Sequence, residues 1–208
     1  MQARHIGNIR IVGGHPALDL VNTIGSRRDR VGADYLMTYD DLLLWAARQG
    51  VLGEAEAAAL RVRAEAEPRG AATALDRAKQ LRECLWRCWR DLQAAKGPAA
   101  ADLVLLTAEA AAAQQVRSLH WRGTGLAWCW TVAGLDAVTN RVAWSAAELL
   151  AVGGPLARVR ECGGRNCGWL FLDATRNGTR RWCTAEECGS LARVTRFRAR
   201  RRTVASAG

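Results

Sequence analysis

The chain has no apolar run approaching the roughly 18–20 residues that a membrane span requires, so it is not expected to cross a bilayer. Its first sixteen residues carry Arg4, His5 and Arg10, but no continuous apolar stretch and no small-residue cleavage signature. Export is therefore not expected, and a cytoplasmic, reducing location is. Catalytic signatures are also missing: no phosphate-binding glycine loop, no nucleophile-elbow serine and no His-Glu-x-x-His. His5 and His120 have no neighbour at catalytic spacing. No internal repeat is visible, and the alanine-rich stretches read as compact helices. These absences weigh against an enzyme, a membrane protein and a repeat scaffold.

What is present is concentrated near the C-terminus. Cys162, Cys167, Cys183 and Cys188 are spaced Cys-x4-Cys, fifteen residues, Cys-x4-Cys. Two close pairs can converge as four thiolates around one structural Zn2+, which takes four soft ligands in a closed tetrahedron. The first pair encloses Gly163 and Gly164 and is followed by Gly168, which suits a tight knuckle. Trp169 to Leu172 reads as a short strand. Asn177-Gly178 reads as a hairpin turn, with residues 180–182 as the returning strand. Thr184 and Glu187 stand in capping-box register, placing Cys183 at a helix entrance and Cys188 in its first turns. Knuckle, hairpin and helix are the layout of a treble-clef zinc finger. Two disulfides would need an oxidising compartment, against which the N-terminus argues.

Charge follows the same boundary. The chain carries a net +10, and from Arg158 onward twelve arginines face four acids, a net +8. Arg193, Arg196, Arg198, Arg200, Arg201 and Arg202 follow the second cysteine pair, with Arg193, Arg196 and Arg200 sharing one helix face. Arg176, Arg180 and Arg181 widen the patch into the expected hairpin. All are Arg, never Lys, which suits bidentate contact with phosphate or a guanine edge. A solvated basic tail is the plain alternative to a nucleic-acid surface.

The preceding 150 residues read as mainly helical, with one β-hairpin, an α+β domain. Helices are expected over residues 40–49, 54–67, 73–96, 99–115 and 135–152, and hairpin strands over 116–121 and 126–132. Gly153-Gly154-Pro155 is the expected module boundary, dividing a domain of residues 1–153 from a finger of 156–202 and a flexible tail of 203–208. Cys84, Cys88 and Cys129 read as small buried hydrophobes, and the nine tryptophans mostly as core. Residues 12–23 carry His15, Asp19, Asn22 and Thr23 among apolar neighbours. They form either a polar network locking the N-terminus onto the core or a pocket for a small ligand, and the network is favoured.

The segment Gly13-Gly14-His15-Pro16-Ala17-Leu18-Asp19-Leu20-Val21-Asn22-Thr23, with the later residues 162–173, Arg176-Asn177-Gly178 and Arg180 to Cys183, resembles the bacterial ABATE-domain proteins that end in a CGNR zinc finger. The resemblance covers nearly the whole chain and is strongest at its two ends. It implies a mostly helical N-terminal domain, a treble-clef finger with the four cysteines as zinc ligands, and a role proposed as stress-induced transcription regulation or RNA binding. One position departs: where the family motif has Cys-Gly-Asn-Arg, this chain has Cys188-Gly189-Ser190-Leu191. Nucleic-acid contact is therefore not carried onto Ser190 or Leu191.

The resulting expectation is a two-module regulator. Its zinc finger contacts nucleic acid, DNA ahead of RNA. Its N-terminal domain senses a signal, binds a small molecule or mediates homo-oligomer contacts. An RNA-binding protein would expose Trp169 or Phe171 for stacking. A protein-interaction module is the third reading, and an enzyme the least favoured.

Overall fold

A computed structural model describes residues 4–28, 32–131, 134–151 and 156–205, with side chains of the last helix described through Ala199. Helix α1 (Pro16–Val21) starts with proline at its first position, where the missing N–H costs nothing, and His15 caps it through Nδ1. Helix α2 (Tyr39–Arg48) begins at a reciprocal Thr38–Asp41 capping box. Helix α3 (Glu54–Ala66) ends two residues before Pro68, which opens the 26-residue α4 (Pro68–Gln93). That start precedes the expected residue 73 because proline is a favourable first helical residue as well as a helix breaker. Helix α5 (Ala100–Gln115), strands β1 (Arg117–Trp121) and β2 (Leu126–Trp130), and helix α6 (Ala137–Ala151) follow close to their expected positions. The Gly153–Pro155 boundary lies outside the described residues.

Helix α4 is the axis of the helical part, packed against α1, α2, α3, α5 and α6. Its buried stripe, Ala71, Ala74, Leu75, Ala78, Leu81, Leu85, Cys88 and Trp89, advances by three and four residues as one helix face must. Arg82 is buried on the same helix. It donates two bonds to Asp34 (2.8 and 2.9 Å), one to Glu83 (2.8 Å) and one to Thr23 (3.2 Å). Arg27 adds two bonds to Glu83 (2.6 and 3.2 Å), so the segment after α1 is pinned to α4 by charge-assisted bonds.

The β1–β2 hairpin is antiparallel, pairing Leu119 with Trp128 and Trp121 with Leu126. These four side chains share one face and are 46–68% exposed, so Trp121 and Trp128 are not core residues as expected.

The finger contains β3 (Val159–Glu161), β4 (Leu170–Leu172), one π-helical turn (Ala185–Gly189) and α7 (Ser190–Ala205). Here the structure corrects the expected hairpin. β4 pairs antiparallel with β3, which precedes the knuckle, and residues 180–182 form no strand. The backbone N–H of Arg180 is taken by Asp173 Oδ2 (2.9 Å), and Asp173 Oδ1 accepts from the Thr175 N–H and hydroxyl, so the chain closes a loop instead of a ladder. Gly178 does turn there with φ +62°. Helix α7 continues through Ala205 into the expected tail.

The two parts share one core. Val159, Cys162, Trp169, Leu170, Phe171 and Cys183 belong to the same buried cluster as α1, α2, α4 and α6. The Leu172 N–H donates to the Gly13 carbonyl (2.8 Å), the Arg27 N–H to the Cys167 carbonyl (2.7 Å), and Trp169 Nε1 to the Ile24 carbonyl (2.7 Å).

Candidate metal centre and nucleic-acid interface

The four cysteine sulfurs lie within 4.8 Å of one another. Sulfurs at ~2.3 Å from a common zinc in a tetrahedron stand about 3.8 Å apart. The Sγ atoms of Cys167 and Cys183 are 3.7 Å apart, and those of Cys183 and Cys188 are 3.6 Å apart. Cys162, Cys167 and Cys183 are buried and Cys188 is partly so. The donor set is all sulfur and closed, so the residues fit one structural zinc ion. Cys162 Sγ also accepts the Gly164 N–H (3.4 Å) and the Cys183 N–H (3.2 Å), contacts that orient the ligand around the metal.

Local sequence explains the convergence. At Gly164 a Cβ would sit 2.9 Å from Cys188 Sγ, so only glycine lets the knuckle approach the second pair. Gly168 takes φ +72° immediately after Cys167 and returns the chain into β4. Thr184 caps the following turn by accepting the Glu187 N–H (3.3 Å). In the wider π-turn the Gly189 N–H reaches the Thr184 carbonyl (3.1 Å), and Cys188 is carried into the cluster.

The arginines divide into two groups. Arg176, Arg181, Arg193, Arg196 and Arg198 are exposed, and none has an acidic partner among the described residues. Arg193 donates to Ser190 Oγ (2.8 Å), and Arg181 lies over the Trp182 ring. Arg165, within the knuckle, joins this set, although sequence reasoning singled out only its neighbours. The side chains of Arg200 and Arg201 lie outside the described residues. Arg180 belongs to the other group. Its guanidinium donates to the carbonyls of Cys183 (2.6 Å), Trp182 (3.1 Å), Val12 (3.2 Å) and Leu172 (3.4 Å) and stacks on Phe171 at 4.2 Å. It is a half-buried tie whose guanidinium is engaged within the fold.

The polar segment at the N-terminus resolves as a network. Asp19 Oδ1 accepts the N–H groups of Gly13 (2.7 Å) and Val12 (3.0 Å), and Oδ2 accepts Gln49 Nε2 (3.1 Å). Burial still pushes its carboxyl above the ordinary value, against those hydrogen bonds. Asn22 bonds twice to the Leu170 backbone, and Thr23 donates to the Leu20 carbonyl (2.7 Å). His15 Nε2 lies 3.2 Å from Ser145 Oγ, and burial lowers its imidazole pKa, favouring the neutral ring that caps α1. All four side chains spend their polar atoms inside the fold.

A cleft of about 650 Å3 runs from the metal centre, where Cys167, Cys183 and Cys188 line it, to the first turns of α7. Trp182, Leu191 and Ala192 supply apolar wall, and Arg165, Asn166 and Arg196 supply polar rim.

Fold and site together define a zinc-finger protein, a treble clef joined through a common core to a helical domain. The chain belongs to the ABATE family, described as "Putative stress-induced transcription regulator", which matches residues 14–153, and the CGNR zinc finger matches residues 158–201. No curated protein matches the chain. No described helix is long and apolar enough to cross a membrane.

Proposed function

We propose that this protein is a zinc-dependent nucleic-acid-binding regulator that docks on DNA through the arginine surface of its finger. The observation that carries the reading is the set of exposed arginines with no acidic partner among the described residues, Arg165, Arg176, Arg181, Arg193, Arg196 and Arg198, on a module whose four cysteines suit zinc. Phosphate contact by such groups gives binding that weakens steeply with salt. The family description as a transcription regulator supports DNA over RNA. The stacking residues expected of an RNA binder, Trp169 and Phe171, are 3% and 0% exposed.

The N-terminal domain then supplies regulation. The apolar hairpin face of Leu119, Trp121, Leu126 and Trp128 supports a role in homo-oligomer or other protein contacts. His15, Asp19, Asn22 and Thr23 are occupied within the fold, which supports the structural reading of that segment over a small-molecule pocket. Four thiolate ligands suit a reducing cytoplasm, and neither matched family is enzymatic in type.

The test is a salt titration of zinc-loaded protein on duplex DNA, with Arg193, Arg196 and Arg198 replaced singly by Ala. Each replacement is expected to lower the slope of log affinity against log salt by about 0.9. Affinity that does not change with salt would transfer the function to a protein partner.

A further inference from the structure

We infer that the cleft beside the zinc centre is a site for one unpaired nucleotide, its base against Trp182 and Leu191 and its phosphate on Arg165 and Arg196. The inference rests on the nucleic-acid reading above and specifies what that surface takes.

Charge within the cleft sorts the ligand. One Zn2+ with four thiolates carries a formal net negative charge, and Glu187 stands on the same wall. Arg4 reaches across from the N-terminal segment and neutralises Glu187 at 2.7 Å. The metal-side wall is therefore a poor place for phosphate and a tolerable one for a neutral ring. Arg165 and Arg196 line the same cleft, are exposed, and have no acidic partner among the described residues. They leave two cations available for an anion at the rim.

The apolar wall has the complementary character. Trp182 is half-buried and lies along Gly163 and Gly189. A Cβ at Gly163 would stand 2.9 Å from its ring, and one at Gly189 would stand 3.1 Å from it. Leu191 is 68% exposed at the start of α7 and lines the cleft. It stands where the Cys-Gly-Asn-Arg motif that gives the matched finger its name has arginine. Leucine in place of that arginine removes a cation and adds a surface on which a flat ring gains by desolvation. The outer part of the cleft, between Arg165, Trp182, Leu191 and Arg196, is the part left to a ligand once the metal is held by the cysteines. An unpaired nucleotide combines the required parts, a neutral aromatic ring joined to an anion, whereas a fully paired duplex keeps its bases stacked and out of reach.

The test uses the full zinc-loaded chain and a short strand carrying one 2-aminopurine, made as DNA and as RNA, with the matched duplex and AMP as comparators. Wild-type protein is expected to quench the 2-aminopurine in the single strand and not in the duplex. Leu191→Arg adds a cation at an exposed position, so simple electrostatics predicts equal or tighter binding throughout. The cleft assignment predicts the opposite for the single strand, a loss of about tenfold in affinity together with the quench, while duplex affinity holds or rises. One bound zinc per chain confirms that the variant is folded. Displacement of the strand by AMP at comparable concentration would identify free nucleotide as the source of the ligand, and lack of displacement would identify the strand. Unquenched 2-aminopurine, or Leu191→Arg binding the strand as wild type does, overturns the cleft assignment alone. Absence of any binding to strand or duplex overturns it together with the parent reading.

Discussion

Asn22 closes a two-bond clamp on the backbone of Leu170: its Nδ2 donates to the Leu170 carbonyl and its Oδ1 accepts the Leu170 N–H, both at 2.8 Å. The first residue ends α1 in the helical domain and the second opens β4 of the finger, so one side chain joins the two modules. Both backbone groups are buried. Asn22→Ala leaves them unpaired and is expected to cost about 2–5 kcal/mol, read as a lower urea midpoint with unchanged slope. A midpoint equal to wild type would show that the clamp is dispensable.

Because Leu170, Phe171 and Trp169 belong to the same core as α1 and α4, zinc is expected to support the whole chain and not the finger alone. Chelation, or Cys183→Ala, should lower the melting temperature of the helical signal and of the finger together. Hydrogen exchange resolved along the chain checks this. Unchanged protection in α4 after zinc removal would show two independent folding units.

Arg180 and Arg181 are neighbours with different expected roles. Arg180→Ala strips donors from four carbonyls and a cation from the face of Phe171, and is expected to destabilise by about 2–4 kcal/mol. Arg181→Ala, at an exposed side chain, is expected to leave stability within about 0.5 kcal/mol and to weaken nucleic-acid binding instead. Paired urea melts and binding titrations separate the two effects, and equal destabilisation by both variants would contradict the assignment.

Acid should loosen the join between α4 and the segment after α1. Burial raises the carboxyl pKa values of Asp34 and Glu83, but hydrogen bonds and charge from Arg82, with Lys79 at Asp34 and Arg27 at Glu83, bring both below their ordinary values. The folded state therefore holds fewer protons than the unfolded one near those values. The stabilisation is complete above the unfolded pKa of about 4 and is lost as pH falls below it. Asp34→Asn is expected to reduce the fall in urea midpoint between pH 5 and 3. An acid profile identical to wild type would place the acid-sensitive group elsewhere.

The metal centre was legible because ligand type and spacing alone restrict what four cysteines can do, and Gly164 carried a steric signal. Helices α2 to α6 were legible from apolar period and caps, with starts misplaced where Pro68 served as a first residue. The partner of β4 was not legible. Val159-Arg160-Glu161 is too short and polar to announce a strand, whereas Asn177-Gly178 announces a turn whose flanks Asp173 diverts into a loop. Arg180 was also hidden, since burial distinguishes it from Arg181 and sequence does not. The cleft depends on residues from the knuckle, the loop before Cys183 and α7, which are separated in sequence and meet only in the fold.

The measurement that bears most directly on the account is selection of the zinc-loaded protein against random duplex DNA with structured RNA as competitor. The account predicts an enriched DNA motif that survives the competitor and is lost with Arg193→Ala and Arg196→Ala combined. No enriched motif, with RNA retained in place of DNA or with binding that persists unchanged in high salt, would contradict it.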